Sequence, residues 1–203
     1  MSETNHSSRL EAFCDGVFAI ALTLLIIDIK IPSTTEVNSN FEFWQALKHI
    51  APSIFAFLLS FIIIFITWVN HHNALRLMNR SSNAFIYANG FLLLTVVFIP
   101  FPTSLLGEYI LTDHAAPAVI LYNSTMAIQA IGWLLATQVS LKHKLIKERS
   151  IKQAIQSRNY SYFAFVLYSL LAIIAIWFPF TIAIITTLTW IIWLVWGIRL
   201  KYE

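Results

Sequence analysis

The chain has 203 residues, of which 58% are hydrophobic and 11% charged, with a mean hydropathy of +0.72 and a formal net charge of +3. This composition excludes an ordinary soluble domain, which carries about twice the charged fraction. A bilayer core takes roughly 20 apolar residues per helix, and charge-poor stretches of that length recur six times. The expected fold is therefore an all-α integral membrane protein, one six-helix domain over residues 1–203.

The first expected span, 12–31, opens with a charged turn from Arg9 and then runs apolar on every face. On a helical wheel Ile20, Thr23, Leu24 and Ile27 fall at i, i+3, i+4 and i+7, and Phe13 and Gly16 extend that stripe downward. In a lone bundle such a stripe is core packing. A cleavable leader fits poorly, because the one Arg ahead of the apolar run is offset by Glu3 and Glu11 and no small-x-small site precedes Pro32.

A polar segment with Pro32, Ser33, Thr34, Thr35, Asn38, Ser39 and Asn40 leads to the second expected span, 50–72. It closes on Trp68-Val-Asn70-His71-His72-Asn73. Adjacent histidines on a helix point about 100° apart, so no metal site is expected there. The third span, 85–106, has Asn89 near its start and Pro100 and Pro102 near its end. The fourth, 115–141, is followed by the basic segment 142–158, after which no charge appears until Arg199. That tract is too long for one helix. Trp177-Phe178-Pro179 is the expected break, since proline donates no backbone N–H and disfavours helix at the preceding residue, giving spans 160–178 and 180–198.

Positive residues in short loops stay cytoplasmic. With the N-terminus inside, Arg9, Arg76, Arg80, the six basic residues of 142–158, Arg199 and Lys201 all fall inside, eleven of thirteen, against Lys30 and Lys48 outside. Six spans then put both termini in the cytoplasm. The positive excess follows from topology, so no nucleic-acid partner is expected, and the basic segment is read as topology before lipid binding.

The chain has no Gly-rich phosphate loop, His-Glu-x-x-His, Cys-x-x-Cys, Gly-x-Ser-x-Gly or Thr-Val-Gly-Tyr-Gly filter. No catalytic residue and no cofactor are expected. No basic residue lies inside a span, which leaves no voltage sensor. Cys14 is the single cysteine, so no internal disulfide can form. Asp15 is the charge that demands a partner, because an unpaired carboxylate costs about 2.5–3.5 kcal/mol at the centre of a span and less near its ends. Arg9 and the polar end of the second span are candidates, with Asn89 at the same level. These residues form either a buried network or an ordinary layer in water and headgroups.

Arg9-x-x-x-Phe13-x-Asp15-Gly16, continuing through Thr23-Leu24-Leu25 to Asp28-Ile-Lys30-Ile-Pro32, resembles the Arg-x-x-x-Phe-Ser-Asp signature of the lysosomal-type potassium channel family, specifically its single-repeat prokaryotic members. Trp68-x-x-His71-His72, Asn89 and Phe98-Ile-Pro-Phe-Pro-Thr103 are similar as well, and the similarity follows all six spans in order. Cys14 stands where the signature has serine, which weakens any hydrogen bond leaning on that hydroxyl. The resemblance implies a homotetrameric cation channel in a prokaryotic plasma membrane, surrounded by lipid, with four first helices around a central axis. Ile20, Leu24 and Ile27 would form the constriction and Thr23 a ring of hydroxyls, passing K⁺ with modest preference over Na⁺. Arg9, Phe13, Asp15, Trp68, His71 and Asn89 would be a structural network behind it. A secondary transporter is the rival reading, although internal repeats and mid-membrane ionisable groups are missing, and a proton-conducting mode is a second alternative.

Overall fold

The computed structural model describes residues 3–30, 32–33 and 37–199, of which 3–7, 28 and 195–199 are described by backbone alone. The regular structure among them is helical: α1 (Glu3–Leu24), α2 (Asn40–His49), α3 (Ala51–Arg76), α4 (Asn83–Phe98), α5 (Pro100–Tyr109), α6 (Ala115–Lys142), α7 (Ile151–Ile174) and α8 (Pro179–Arg199). Short 3₁₀ turns cover Leu25–Asp28 and Glu148–Ser150.

Four stretches are long and apolar enough to cross a membrane: Ser8–Ile27, Ala51–Arg76, Asn83–Tyr109 and Ala115–Lys142. Pro179–Leu194 is a shorter apolar helix. Although α7 is 24 residues long, its first turns carry Lys152, Gln153, Gln156 and Arg158, so hydropathy alone does not mark it as a span.

Several helix limits differ from those the sequence led us to expect. The first helix is not 12–31. It begins back at Glu3, because polar residues extend a helix that hydropathy cannot register, and α-geometry stops at Leu24. Beyond it, Ile26, Ile27 and Ile29 lower helix propensity through their stiff χ1, and Ile29 is extended (φ −78°, ψ 103°). Ile31, Thr34 and Thr35 lie outside the described residues. The segment expected at 85–106 is two helices, because Pro100 and Pro102 cannot donate to the carbonyls one turn back; Ile99 N–H turns instead to Val96 O at 3.2 Å. The expected fifth span, 160–178, starts earlier, at Ile151, and stops at Ile174.

The helix α2 was not foreseen, yet its signal is present. Ser39 Oγ accepts from Glu42 N–H at 3.2 Å and Glu42 Oε2 accepts from Asn38 N–H at 2.7 Å, a capping arrangement that starts a helix in an otherwise polar loop.

The central helix is α6, which packs against α4, α5, α7 and α8, while α1 lies on α3 and α4. Small residues permit close approach, as in other membrane bundles: a Cβ on Gly107 of α5 would sit 2.6 Å from Ser53 Cα of α3, and one on Gly132 of α6 would sit 3.0 Å from Leu92 Cα of α4. Buried hydroxyls and amides tie the same helices. Ser60 bonds Thr103, and Thr186 Oγ1 donates to Asn123 Oδ1 at 2.9 Å.

At one end of the bundle two loops are stitched together by backbone. Asn79 N–H donates to Leu145 O at 2.8 Å and Lys147 N–H to Leu77 O at 2.9 Å. Lys147 Nζ also donates to Arg76 O at 2.7 Å. This end gathers Arg76, Arg80, Lys142, Lys144 and Lys147, the basic loops that the charge pattern assigns to one side of a membrane.

Candidate functional site: the two faces of the first helix

Helix α1 divides cleanly into a buried and an open face. Cys14, Phe18, Ala21 and Leu25 recur at i, i+4, i+7 and i+11 and are all buried against α3 and α4. The stripe Phe13, Gly16, Ile20, Thr23 and Ile27 lies open on the other side, with Phe13 62%, Ile20 58% and Ile27 72% exposed and Leu24 at its edge. A Cβ placed on Gly16 would meet nothing within 4 Å. The outward apolar residues of α7 are all large, Tyr162, Phe163, Val166, Leu170 and Ile173, while on α4 Gly90 is open as Gly16 is. The open face of α1 alternates bulky residues with glycine and a hydroxyl, a composition that lets other helices approach.

The Thr23 hydroxyl has its proton committed. Its Oγ1 lies 2.9 Å from Ile20 O and 3.1 Å from Ala19 O, both one turn back. The oxygen therefore presents lone pairs outward and no donor, which suits a cation better than an anion.

Three hydrogen bonds and one close approach lie on the buried side. Trp68 Nε1–H of α3 donates to Asp15 Oδ1 at 2.8 Å. Glu11 Oε1 lies 3.2 Å from His72 Nδ1, without hydrogen-bond geometry. Asn89 of α4 donates its amide N–H to Cys14 Sγ at 3.2 Å, and its Oδ1 lies 2.7 Å from His71 Nε2. Since that oxygen can only accept, His71 carries its proton on Nε2. Phe18 packs its ring 5.3 Å from the His71 ring, and Trp133 of α6 approaches the other side at 6.2 Å.

The structure thus brings Asp15, Trp68, His71 and Asn89 together around α1. Arg9 and Phe13, expected in the same network, are not part of it: both are exposed. Helix geometry is the reason. Phe13 is two residues from Asp15 and so about 200° around the axis, whereas it is seven residues from Ile20 and nearly in line with it. Phe13 belongs to the open face. Glu11, which was not among the expected network residues, comes to 3.2 Å from His72 of the quoted Trp68-x-x-His71-His72 segment, although His72 Nδ1 makes no hydrogen bond. The signal for that approach was the carboxylate four positions ahead of Asp15 beside a second histidine on α3. Cys14 fills the serine position with a sulfur acceptor, so the link to Asn89 closes without a hydroxyl. Among the described residues no three His, Cys, Asp or Glu side chains come together as a metal would require.

Comparison with known proteins follows this geometry. Residues 9–100, which hold most of α1 and all of α2, α3 and α4, match the family model described as endosomal/lysosomal potassium channel TMEM175. A potassium channel of Chamaesiphon minutus is 43% identical over 129 residues, which span 64% of this chain and 63% of that relative, a little under two thirds of its length. The endosomal/lysosomal proton channel TMEM175 of Gallus gallus is 31% identical over 119 residues, 56% of this chain and 24% of that protein. A crystal structure of a lysosomal potassium-selective channel TMEM175 homolog from Chamaesiphon minutus superposes with a TM-score of 0.68 at 35% identity, covering 92% of this chain and 98% of that one. With a relative of that identity matched over nearly its whole length, the chain belongs to the TMEM175 family.

Proposed function

We propose that this protein is a potassium-conducting channel, a homotetramer of six-span subunits with cytoplasmic termini in a prokaryotic cell membrane. The open stripe of α1 lines its axis. The observation that carries this reading is the division of α1 into an anchored face and a face where Phe13, Gly16, Ile20, Thr23, Leu24 and Ile27 are all exposed in the single subunit. Four copies brought to one axis close that face by cyclic symmetry. The relative and the solved structure described above as potassium channels support the choice of ion.

Conduction in this arrangement is controlled by wetting. Four rings of Ile20, Leu24 and Ile27 dewet a narrow bore, and a slightly wider state admits a partly hydrated ion. The Thr23 oxygens lie one helical turn from Ile20 and offer acceptors where water is stripped. Selectivity rests on hydration and on this one ring, so K⁺ is favoured over Na⁺ only modestly.

K⁺ flux from liposomes holding the purified protein tests the reading, with wild type and Ile20→Asn compared under K⁺ and Na⁺ gradients. Flux that favours K⁺ and rises several-fold in the variant is expected; no flux in either sample overturns the channel. A proton-conducting mode is the second reading, favoured by the Gallus gallus relative. Acidification of the liposome lumen under a proton gradient reports it in the same preparation.

A further inference from the structure

Helices α3, α6, α7 and α8 leave between them a cavity of about 350 Å³ that plays no part in the open face of α1. It lies behind α3, bounded by that helix's last turns from Ile66 to Ala74, by Leu77 just beyond them, and by α7 from Gln153 to Tyr168. Five aromatic rings wall it: Trp133, Tyr160, Tyr168, Trp190 and Trp193. Between them stand the amides of Asn70, Gln129, Gln153 and Gln156, and among the described residues no charged side chain lines the space. The space is partly open at the subunit surface, and its volume and concave, mainly apolar wall are those of a small-molecule site.

Two donors on its wall are unsatisfied. Gln129 is 4% exposed and Trp190 6% exposed, yet neither Gln129 Nε2 nor Trp190 Nε1 has a hydrogen-bond partner. Buried N–H groups are almost always paired, and an unpaired one is costly where no bulk water reaches. Both N–H groups are closed off as the side chains stand, and turning the Gln129 amide toward the space would pair its N–H with an oxygen acceptor on an apolar body. A carboxylate or phosphate would meet no cationic side chain among the described lining residues. We propose that this cavity is a binding site for a neutral amphiphile, an aliphatic chain bearing one hydroxyl or carbonyl oxygen, and that its occupancy is transmitted to α1.

The transmission runs through Trp133. Its side chain borders this cavity and also a smaller adjacent one, of about 40 Å³, that His71 and Asn89 line from the far side. The Trp133 ring is 6.2 Å from that of His71, and His71 holds Asn89, which in turn holds Cys14 of α1. An occupant that shifts Trp133 therefore bears on the contacts that fix the buried face of α1. This second step rests on the channel reading; the site itself does not.

Photolabelling with 3-azioctanol of the full chain in liposomes tests the site, with labelled peptides mapped by mass spectrometry and 1-octanol as competitor. Competable labelling on α6 and α8 at the cavity is expected. Gln129→Leu, which keeps the volume and removes the amide, should weaken competition by about 2- to 10-fold, the value of one hydrogen bond, and Ala164→Trp should abolish labelling by filling the space. Label spread over the outward α7 residues Phe163, Val166 and Leu170 with equal yield in wild type and Gln129→Leu overturns the site, even if Ala164→Trp fails to fold. A bilayer lipid tail already seated there appears in an organic extract of the purified protein and is displaced by octanol; a free amphiphile leaves that extract empty, and either result supports the site. K⁺ flux reads the transmission: octanol should change it in wild type and not in Ala164→Trp, and an equal change in both overturns it. Flux missing from every sample overturns the channel reading while the labelling still decides the site.

Discussion

The indole N–H of Trp68 meets the carboxylate of Asp15 at 2.8 Å, and this neutral donor, not a basic residue, is what holds the charged end of α1 against α3. Hydrogen bonds to a charged acceptor are worth more than neutral ones, about 1.5–3 kcal/mol. Trp68→Phe leaves the carboxylate without its donor, and Asp15→Ala leaves the indole without its acceptor. Both should lower the thermal unfolding temperature of the detergent-purified protein and reduce the yield of the proposed tetramer. Ion preference in whatever assembly forms should stay unchanged. Normal assembly of Asp15→Ala with altered selectivity would reverse the roles given to the two faces of α1.

The Cys14 thiol separates two kinds of substitution. Cys14→Ser keeps an acceptor for the Asn89 amide and should hold or raise stability. Cys14→Val keeps the approximate volume but strands a buried N–H, at a cost of about 1–3 kcal/mol. Fluorescence-detected size-exclusion after heating ranks the three proteins. Equal melting of Ser and Val variants would mean that the Asn89–Cys14 contact carries no weight.

Phe13 should behave in the opposite way from Asp15. It is 62% exposed within its own subunit, so Phe13→Ala has little to lose there, within about 0.5 kcal/mol for a surface change. If the open face lines the axis as proposed, the same substitution, two helical turns from Ile20, should alter K⁺ flux. A large drop in subunit stability with unchanged flux would return Phe13 to the anchor.

Gly107 is a packing requirement with no ligand role. A Cβ there would stand 2.6 Å from the Ser53 backbone, inside contact distance, and backbone cannot swing away as a side-chain tip can. Gly107→Ala should therefore destabilise by about 1–3 kcal/mol, the range for overpacking, read as a lower unfolding temperature. Gly16→Ala, which meets open space in the single subunit, is the matched control for monomer folding.

How far the sequence could be read depended on the kind of signal each feature leaves. The Asp15, Trp68, His71 and Asn89 cluster was legible because an intramembrane carboxylate requires a donor, and the topology puts few polar side chains at its level. The separation of Phe13 from that cluster was less so: a signature string groups residues by sequence, whereas a helix groups them by angle, and only the packing of Cys14 and Phe18 fixes which angle is inward. The early start of α1 and of α7 escaped because hydropathy measures apolar length, and both helices continue into polar residues. Helix α2 escaped for the converse reason, its Ser39 and Glu42 capping pair lying in a segment without an apolar run. The cavity behind α3 left no trace at all, since a void is made by what four helices fail to fill.

The 3₁₀ turn at Leu25–Asp28 gives the last part of α1 a degree of freedom that the rest lacks. A residue advances about 120° around the axis in 3₁₀ winding and 100° in α winding. Between Leu24 and Ile27 the difference accumulates to about 60° over three residues. Rewinding that one turn would swing the Ile27 side chain sideways while Ile20 and Thr23, fixed by the anchor below them, kept their bearings. In the proposed four-chain arrangement the uppermost apolar ring would then be a local rotor, and the rings beneath it a fixed stack.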